Sequence, residues 1–374
     1  MSFAWSVGLM TGTVLDGNID VALLRTDGET VQELGPWALV PYDETVLELL
    51  EAAVAAARRW NFTGAEPAEF AVAERALTEA QGAAVREVLD ENGIASSAVA
   101  VIGFHGQTVL HRAPASGVPG RTRQLGDGAA MARALGIDVV NDLRTNDVAH
   151  GGQGAPLSAV YHRALLRRVN AAPGTVFLNL GGVANLTAAT SDDLIAFDTG
   201  PANAPIDDWV RRHTGERMDR DGRLARAGRV DQERLATLLD HPYLAAPWPK
   251  SLDRFDFGAD MANGLGVADG AATLTAFTAA CVARALTLLP TPTTALIVAG
   301  GGRRNPTLMD EIARRTGVAV HDADALGLRG DAVEAECFAY LAERSRRGLP
   351  ISFPHTTGAP RPLEGGVLVP RPTD

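Results

Sequence analysis

With 374 residues, 46% of them hydrophobic and 21% charged, the chain is long enough for two globular domains. Its 45 acidic against 34 basic side chains give a net charge of -11, which argues against nucleic acid or an anionic membrane as a general partner but not against a small anion in a local pocket. Cys281 and Cys337 alone cannot build a disulfide framework or a cysteine-rich metal site; with no basic leader and no apolar run of about 18 residues, a cytoplasmic protein without a membrane span is expected.

Residues 7–10 and 19–24 read as two short strands around a glycine-rich turn, Thr11-Gly12-Thr13-Val14-Leu15-Asp16-Gly17. Glycine lets a backbone turn tightly and approach a ligand. Amides and hydroxyls in such a turn cradle phosphate oxygens, and Asp16 is placed to orient a metal-bound or attacking group. The Gly-x4-Gly-Lys-Ser/Thr pattern of a P-loop is absent, and a plain hairpin fits the same letters.

A third strand is expected over 31–41, then helices over 43–59 and 65–92, the second closed by Asn92-Gly93. The β-branched run 98–104 reads as a buried strand that delivers His105 and Gln107 at its C-terminal end, where ligands gather in open α/β sheets. Those two side chains are either ligand contacts or polar groups satisfied in a turn. Strands over 121–125 and 137–141 flank a helix ending at Leu135. After the loop 151–157, Pro156 suits the first turn of the next helix. His150 and His162 lack metal-ligand spacing, so structural roles are expected.

The second half repeats the opening arrangement. Strand 175–180, Gly181-Gly182 and strand 183–188 form another strand–glycine–strand unit. The strand 194–197 then leads into Asp198, placed either as a general base or as the cap of the helix that follows. Residues 242–257 read as an ordered loop in which Lys250 and Arg254 are either anion contacts or solvated cations. A long helix over 268–289 carries core residues. Strand 294–299 runs into Gly300-Gly301-Gly302, Asn305 and a helix from Pro306, a unit suited to part of a nucleotide. Residues 331–346 are expected to be helical, and the tail after Gly348 to pack back across a lobe.

Several motifs in order carry a family resemblance: Gly8-Leu-Met-Thr-Gly-Thr-Val-Leu-Asp-Gly17, Gly103-Phe-His-Gly-Gln-Thr108, Gly151-Gly-Gln-Gly-Ala-Pro-Leu157, Leu178-Asn-Leu-Gly-Gly-Val-Ala-Asn185, Phe197-Asp-Thr-Gly-Pro201, Pro249-Lys-Ser251 and Ala299-Gly-Gly-Gly302. Glu334-Ala335, Phe338-Ala339, Thr357-Gly-Ala359 and Gly365-Gly366 continue it. On these motifs the chain resembles, end to end, the anhydro-N-acetylmuramic acid kinases, sugar kinases of the actin, hexokinase and Hsp70 superfamily.

The resemblance implies an α/β fold of two ribonuclease-H-like, actin/hexokinase-type lobes with the active site in the cleft between them. The lobes are expected over 1–140, completed by 348–374, and over 141–347. It implies ATP and Mg2+, the small-molecule sugar 1,6-anhydro-N-acetylmuramic acid as substrate, and a homodimer. Asp198 matches the family's base and Asp16 a catalytic and metal-binding position. Nucleotide contacts are expected at Gly12, Thr13, Val14, Leu15, Asp16, Gly17 and Asp20, at Gly181, Gly182 and Asn185, and at Gly300, Gly301, Gly302 and Asn305. Sugar contacts are expected at His105, Gln107, Asp198 and Glu334. The chain departs from the family pattern at Val14, where serine is usual, at Asn18, an added residue, and at Ala202, where glycine is usual. A kinase for a related amino sugar and a non-catalytic nucleotide-dependent binding module are the alternative readings.

Overall fold

The computed structural model describes residues 4–11, 15, 17–114, 117–190 and 193–372. Gly12, Thr13, Val14 and Asp16 of the opening turn lie outside the described residues. The chain divides into two compact units, 1–164 with 332–374, and 165–331. These boundaries differ from those expected at 140/141 and 347/348. The helix Ala159–Arg168 carries the chain across the first, and the helix Val333–Arg346, expected in the second lobe, belongs to the first unit.

In the first unit β1 (Ala4–Met10), β2 (Asn18–Thr26) and β3 (Val31–Pro41) form an antiparallel meander. β4 (Val99–Phe104) pairs parallel with β1, β5 (Gln107–Arg112) and β6 (Arg121–Leu125) make a separate ribbon, and β7 (Val139–Asn141) pairs parallel with β4. The main sheet therefore runs β3-β2-β1-β4-β7, with the C-terminal strand Val367–Val369 added beside β7. Val7, Leu9, Val21, Leu23, Ile102 and Phe104 share one core with Leu50 and Ala53 of the helix Glu44–Trp60 and Leu77 and Val85 of the helix Ala68–Glu91.

The helix Val333–Arg346 lies backbone-close on β1 and β4. A β-carbon at Gly8 would stand 1.8 Å from the Ala335 carbonyl oxygen, and one at Gly103 would stand 2.0 Å from that of Phe338. Both glycines are needed for this approach rather than for turn geometry.

The second unit repeats the order. β8 (Thr175–Leu180), β9 (Val183–Ala189) and β10 (Leu194–Pro201) form an antiparallel meander, β11 (Ala295–Ala299) pairs parallel with β8, and β12 (Ala319–Asp322) parallel with β11. The sheet runs β10-β9-β8-β11-β12. Each unit thus has the 3-2-1-4-5 strand order of the ribonuclease-H-like fold, and the two expected glycine turns join equivalent strands, β1 to β2 and β8 to β9. The third glycine turn follows β11, the counterpart of β4, whose end carries His105. β8 and β10 are buried along their whole length, as strands covered on both faces are.

The structure differs locally from the sequence reading. Gln107 opens β5 instead of sitting in a turn. Pro156 lies in the loop before the helix, which starts at Ala159. The long helix spans Val267–Leu286. Among the described residues no helix is long and apolar enough to cross a membrane.

Candidate active site

Asp198 lies inside β10, not after it. It pairs with Asn185 of β9, and the register slips between Asp198 and Gly200, a bulge that re-aims the strand at this point. The segment 243–252 grips the residue from three sides. The Asp198 N–H donates to the Lys250 carbonyl at 3.1 Å, its own carbonyl accepts from the Tyr243 hydroxyl at 2.7 Å, and its carboxylate Oδ2 accepts from the Leu252 N–H at 2.8 Å. Asp198 is buried, 7% exposed as a residue, and the Leu252 N–H orients its carboxylate. The capping role considered for Asp198 does not hold: Ala202 is the N-cap of the helix Asn203–Thr214, without a side-chain cap.

Lys250 is buried, and its ammonium donates to the Tyr243 carbonyl at 2.9 Å while lying 4.6 Å from the Tyr243 ring centre and 5.5 Å from that of Phe197. Burial lowers its pKa to about 8, the Cys281 thiol and the Asp198 carboxylate opposing that shift and Arg284 adding to it. Of the two readings offered for it, the solvated cation does not hold, since its ammonium is packed against a carbonyl and two rings. Arg254 pairs with Asp208 at 3.0 Å.

The second and third glycine turns converge within the second unit. The carbonyl of Gly181 accepts from the Asn203 N–H at 3.0 Å and that of Gly182 from the Ala202 N–H at 3.0 Å, which ties the β8–β9 turn to the start of the helix Asn203–Thr214. The Asn203 side chain donates to the Leu180 carbonyl at 3.0 Å. Gly300 sits at φ +81, where a β-carbon would also strike Asn179 Oδ1 and the Leu180 carbonyl oxygen at 2.6 Å; at Gly302 a β-carbon would strike Leu180 at 2.6 Å. Gly301 is exposed, and a β-carbon added there would meet only the Asn203 side chain, at 3.7 Å, so there is room for a ligand beside it. The Asn185 Oδ1 is buried without a hydrogen-bond partner, an acceptor left for a ligand donor. The Asn305 side chain instead accepts from the Leu308 N–H at 3.0 Å and caps the helix Pro306–Thr316. Ala202, one of the three departures, has a negative φ of -121 and is fully buried, so its β-carbon is accommodated.

Arg303 anchors the third turn. It is buried, donates to the Gly300 carbonyl at 3.1 Å, and pairs with Asp322 at 3.3 Å, Asp324 at 2.5 Å and Asp331 at 2.6 Å.

In the first unit His105 is buried against Phe338, ring centres 4.6 Å apart. Arg144 reaches its Nε2 from Nε at 3.2 Å and from Nη2 at 3.1 Å. A guanidinium only donates, so Nε2 is the acceptor, and Nδ1 carries the proton it gives to the Gly106 carbonyl at 2.8 Å. Arg144 also holds the Gly154 carbonyl at 2.6 Å, while buried Asp147 accepts from the Gly154 N–H at 2.6 Å and the Thr357 hydroxyl at 2.6 Å. The loop 151–157 is thereby fixed to His105 and to the C-terminal tail. Gln107 donates to the Thr108 carbonyl at 3.1 Å, and its Oε1 is buried without a partner. Glu334 is half-buried in the first turn of the helix Val333–Arg346. Burial, the largest effect, together with the Glu334 and Glu336 charges raises the pKa of the Cys337 thiol, and Arg144 opposes this. Phe338, against which His105 packs, lies four residues on from Glu334 in the same helix. Of the opening turn, Leu15 is half-buried against the first unit's core, Gly17 sits at φ +96, Asp20 lies on β2 opposite Met10, and the added Asn18 is absorbed as the first residue of β2, opposite Pro41.

His105 and His162 are both buried, and burial lowers the pKa of each to about 3, Arg144 adding to the effect at His105. The unfolded chain then binds more protons than the folded one between the usual value near 6.5 and about 3, so stability falls as pH falls through that window. The expected slope is about 1.4 kcal/mol per pH unit for each histidine. Denaturation midpoints taken from pH 7.5 to pH 4.5 check this. His162→Asn flattens the acid limb, and an unchanged limb in that variant contradicts the burial assignment.

Sequence reasoning missed Tyr243 and Leu252, which hold Asp198, and Arg144, Asp147 and Arg303, which hold the loops. Only the Pro249-Lys250-Ser251 motif hinted at the first group. Residues 4–371 match the family model described as anhydro-N-acetylmuramic acid kinase. A protein of that name from Brucella anthropi is 62% identical over 366 residues, covering 98% of this chain and 99% of its own. Proteins of the same name from Rhizobium rhizogenes and Mesorhizobium japonicum are 60% and 59% identical over 365 residues, each covering 97% of this chain and 98% of the relative. The chain belongs to the anhydro-N-acetylmuramic acid kinase family.

Proposed function

We propose that this chain is an ATP-dependent kinase that opens 1,6-anhydro-N-acetylmuramic acid with water and phosphorylates O6, giving N-acetylmuramate 6-phosphate and ADP. The observation that carries the reading is Asp198, a buried carboxylate held by the Leu252 N–H at one oxygen and by two main-chain bonds at its backbone. Such a group is fit to take a proton from a water. As that water attacks the anomeric carbon, its oxygen bonds C1, the C1–O6 bond breaks, and Asp198 receives the water's proton. O6 then bonds the γ-phosphorus of ATP, the bond from γ-phosphorus to the β-bridging oxygen breaks, and ADP leaves. The proton on Asp198 returns to solvent.

Phosphoryl transfer asks the protein for positioning and charge neutralisation. Gly12, Thr13, Asp16 and Gly17 are assigned to the phosphates, Gly181 and Gly182 to the second phosphate contact, and Gly300, Gly301 and Gly302 to the nucleoside side. The room beside Gly301 and the unpaired Asn185 Oδ1 suit a polar ligand there. The Gln107 Oε1 likewise suits a sugar hydroxyl. Mg2+ takes hard oxygen donors, and Asp16 offers one; bound to the ATP phosphates, the ion neutralises charge. His105, neutral at the pH of the reaction, and Glu334 are assigned to the sugar. The reaction belongs to the recycling of cell-wall sugars in the cytoplasm.

Sugar-stimulated ADP release from magnesium-ATP tests the reading, and Asp16→Ala localises it. That variant is expected to lose about 100-fold in kcat, the scale of removing one electrostatic stabiliser, and to raise the KM for ATP. Normal kinetics in Asp16→Ala would make the opening turn purely structural. Absence of sugar-stimulated release by folded wild-type protein would move the assignment to a related amino sugar.

A further inference from the structure

Three buried polar side chains from distant parts of the sequence meet at the foot of the opening turn. Thr11 follows β1, Tyr42 follows β3, and Gln81 lies in the middle of the helix Ala68–Glu91. The Thr11 and Tyr42 hydroxyls stand 2.7 Å apart, and the Gln81 amide nitrogen donates to Thr11 at 2.6 Å and to Tyr42 at 2.7 Å. The Tyr42 main chain reaches the other foot, its N–H donating to the Gly17 carbonyl at 2.9 Å. One residue thus holds the chain on both sides of positions 12–16, by its hydroxyl at Thr11 and by its amide at Gly17.

The surroundings make this trio informative. Ala73, Leu77, Ala84 and Val85 of the same helix are core residues, and Gln81 is fully buried among them. A buried amide or hydroxyl is unfavourable unless hydrogen-bonded, and apolar groups of the same shape would fill the space as well or better. The Thr11 and Tyr42 hydroxyls and the Gln81 amide nitrogen, each bonded to the other two, instead specify one distance between the ends of a turn, at the cost of a Gln81 Oε1 left without a partner. We propose that Tyr42 and Gln81 are positioning residues that fix the distance between Thr11 and Gly17, the two ends of the turn assigned to the ATP phosphates. Neither touches substrate; they act through Thr11 and Gly17. The inference rests on the assignment of that turn to the phosphates.

The test is steady-state kinetics of the full-length protein with ATP and sugar varied separately, on Tyr42→Phe and Gln81→Met, with unfolding midpoints recorded alongside. Expected is a rise of about tenfold in the KM for ATP with the KM for the sugar unchanged, the signature of lost nucleotide binding rather than of a smaller active fraction. Tyr42→Phe combined with Thr11→Val is expected to be no worse than the more severe single variant, because all three substitutions break one triangle. Should Tyr42→Phe fail to fold, Gln81→Met decides the matter alone, since methionine keeps the length and helix propensity of glutamine. An unchanged KM for ATP in Gln81→Met, or equal rises for ATP and sugar, overturns the proposal when Asp16→Ala raises the KM for ATP. If Asp16→Ala leaves that KM unchanged, the assignment of the turn itself has failed, and this inference falls with it.

Discussion

Asp198→Asn is expected to lose sugar-dependent turnover by at least about 1,000-fold, within the range found for removing a general base, while binding ATP with nearly native affinity. The two consequences separate because of where Asp198 sits. Asparagine has the same shape and can accept from the Leu252 N–H through its amide oxygen, and the bonds from the Asp198 main chain to Tyr243 and Lys250 do not depend on the side chain. The bulge, the strand and the neighbouring glycine turn therefore persist. What is lost is a group able to take a proton. Parallel assays of turnover and of nucleotide titration check this, and residual turnover within tenfold of wild type would remove Asp198 from the role of base.

Gly8→Ala is the second substitution with a large expected effect, and it acts on the fold. Its β-carbon would lie 1.8 Å from the Ala335 carbonyl oxygen and 2.4 Å from the Ala339 nitrogen. Overpacking a core usually costs about 1–3 kcal/mol because side chains change rotamer to relieve it. Here both colliding atoms belong to the backbone of the helix Val333–Arg346, which has no rotamer to change, so a loss above about 3 kcal/mol is expected from that same comparison. Gly82→Ala gives a control of opposite sign. Gly82 lies inside the helix Ala68–Glu91, and a β-carbon there meets nothing within 4 Å. Alanine at that position is expected to stabilise by about 0.5–1 kcal/mol through helix propensity. Denaturant midpoints of the two variants, measured together, decide whether the helix lies on β1 as described.

The strands and glycine turns were legible because their signals are local. An apolar run bounded by glycine is visible within ten residues, and 121–125 and 175–180 were read with their observed limits. The two-lobed ribonuclease-H-like architecture followed from the resemblance rather than from any one segment. What the sequence hid is what pairing creates. Asp198 looked like the residue after a strand, because the apolar run stops at Phe197; only the ladder with β9 extends β10 to Pro201 and opens the bulge. The helix Val333–Arg346 was read correctly as a helix but placed in the wrong lobe, since nothing in its own letters shows that Gly8 and Gly103, hundreds of residues earlier, leave room for its backbone. Partners far apart in the chain were invisible for the same reason. Gln81 and Thr11 are 70 positions apart, and Tyr243 and Asp198 are 45 apart. Buried histidines gave a weaker hint: His105 offered no clue that burial, with Arg144 adding to it, would hold the ring neutral.

The most direct measurement is the mass of the sugar product formed from magnesium-ATP and 1,6-anhydro-N-acetylmuramic acid by the wild-type protein and by Asp198→Asn. A wild-type product heavier than the substrate by one phosphoryl group and one water, absent with Asp198→Asn, is the predicted result, because ring opening by water and phosphorylation of O6 are then one coupled reaction that needs the Asp198 carboxylate. A product heavier by a phosphoryl group alone, or the hydrated and phosphorylated product formed equally by both proteins, would contradict it.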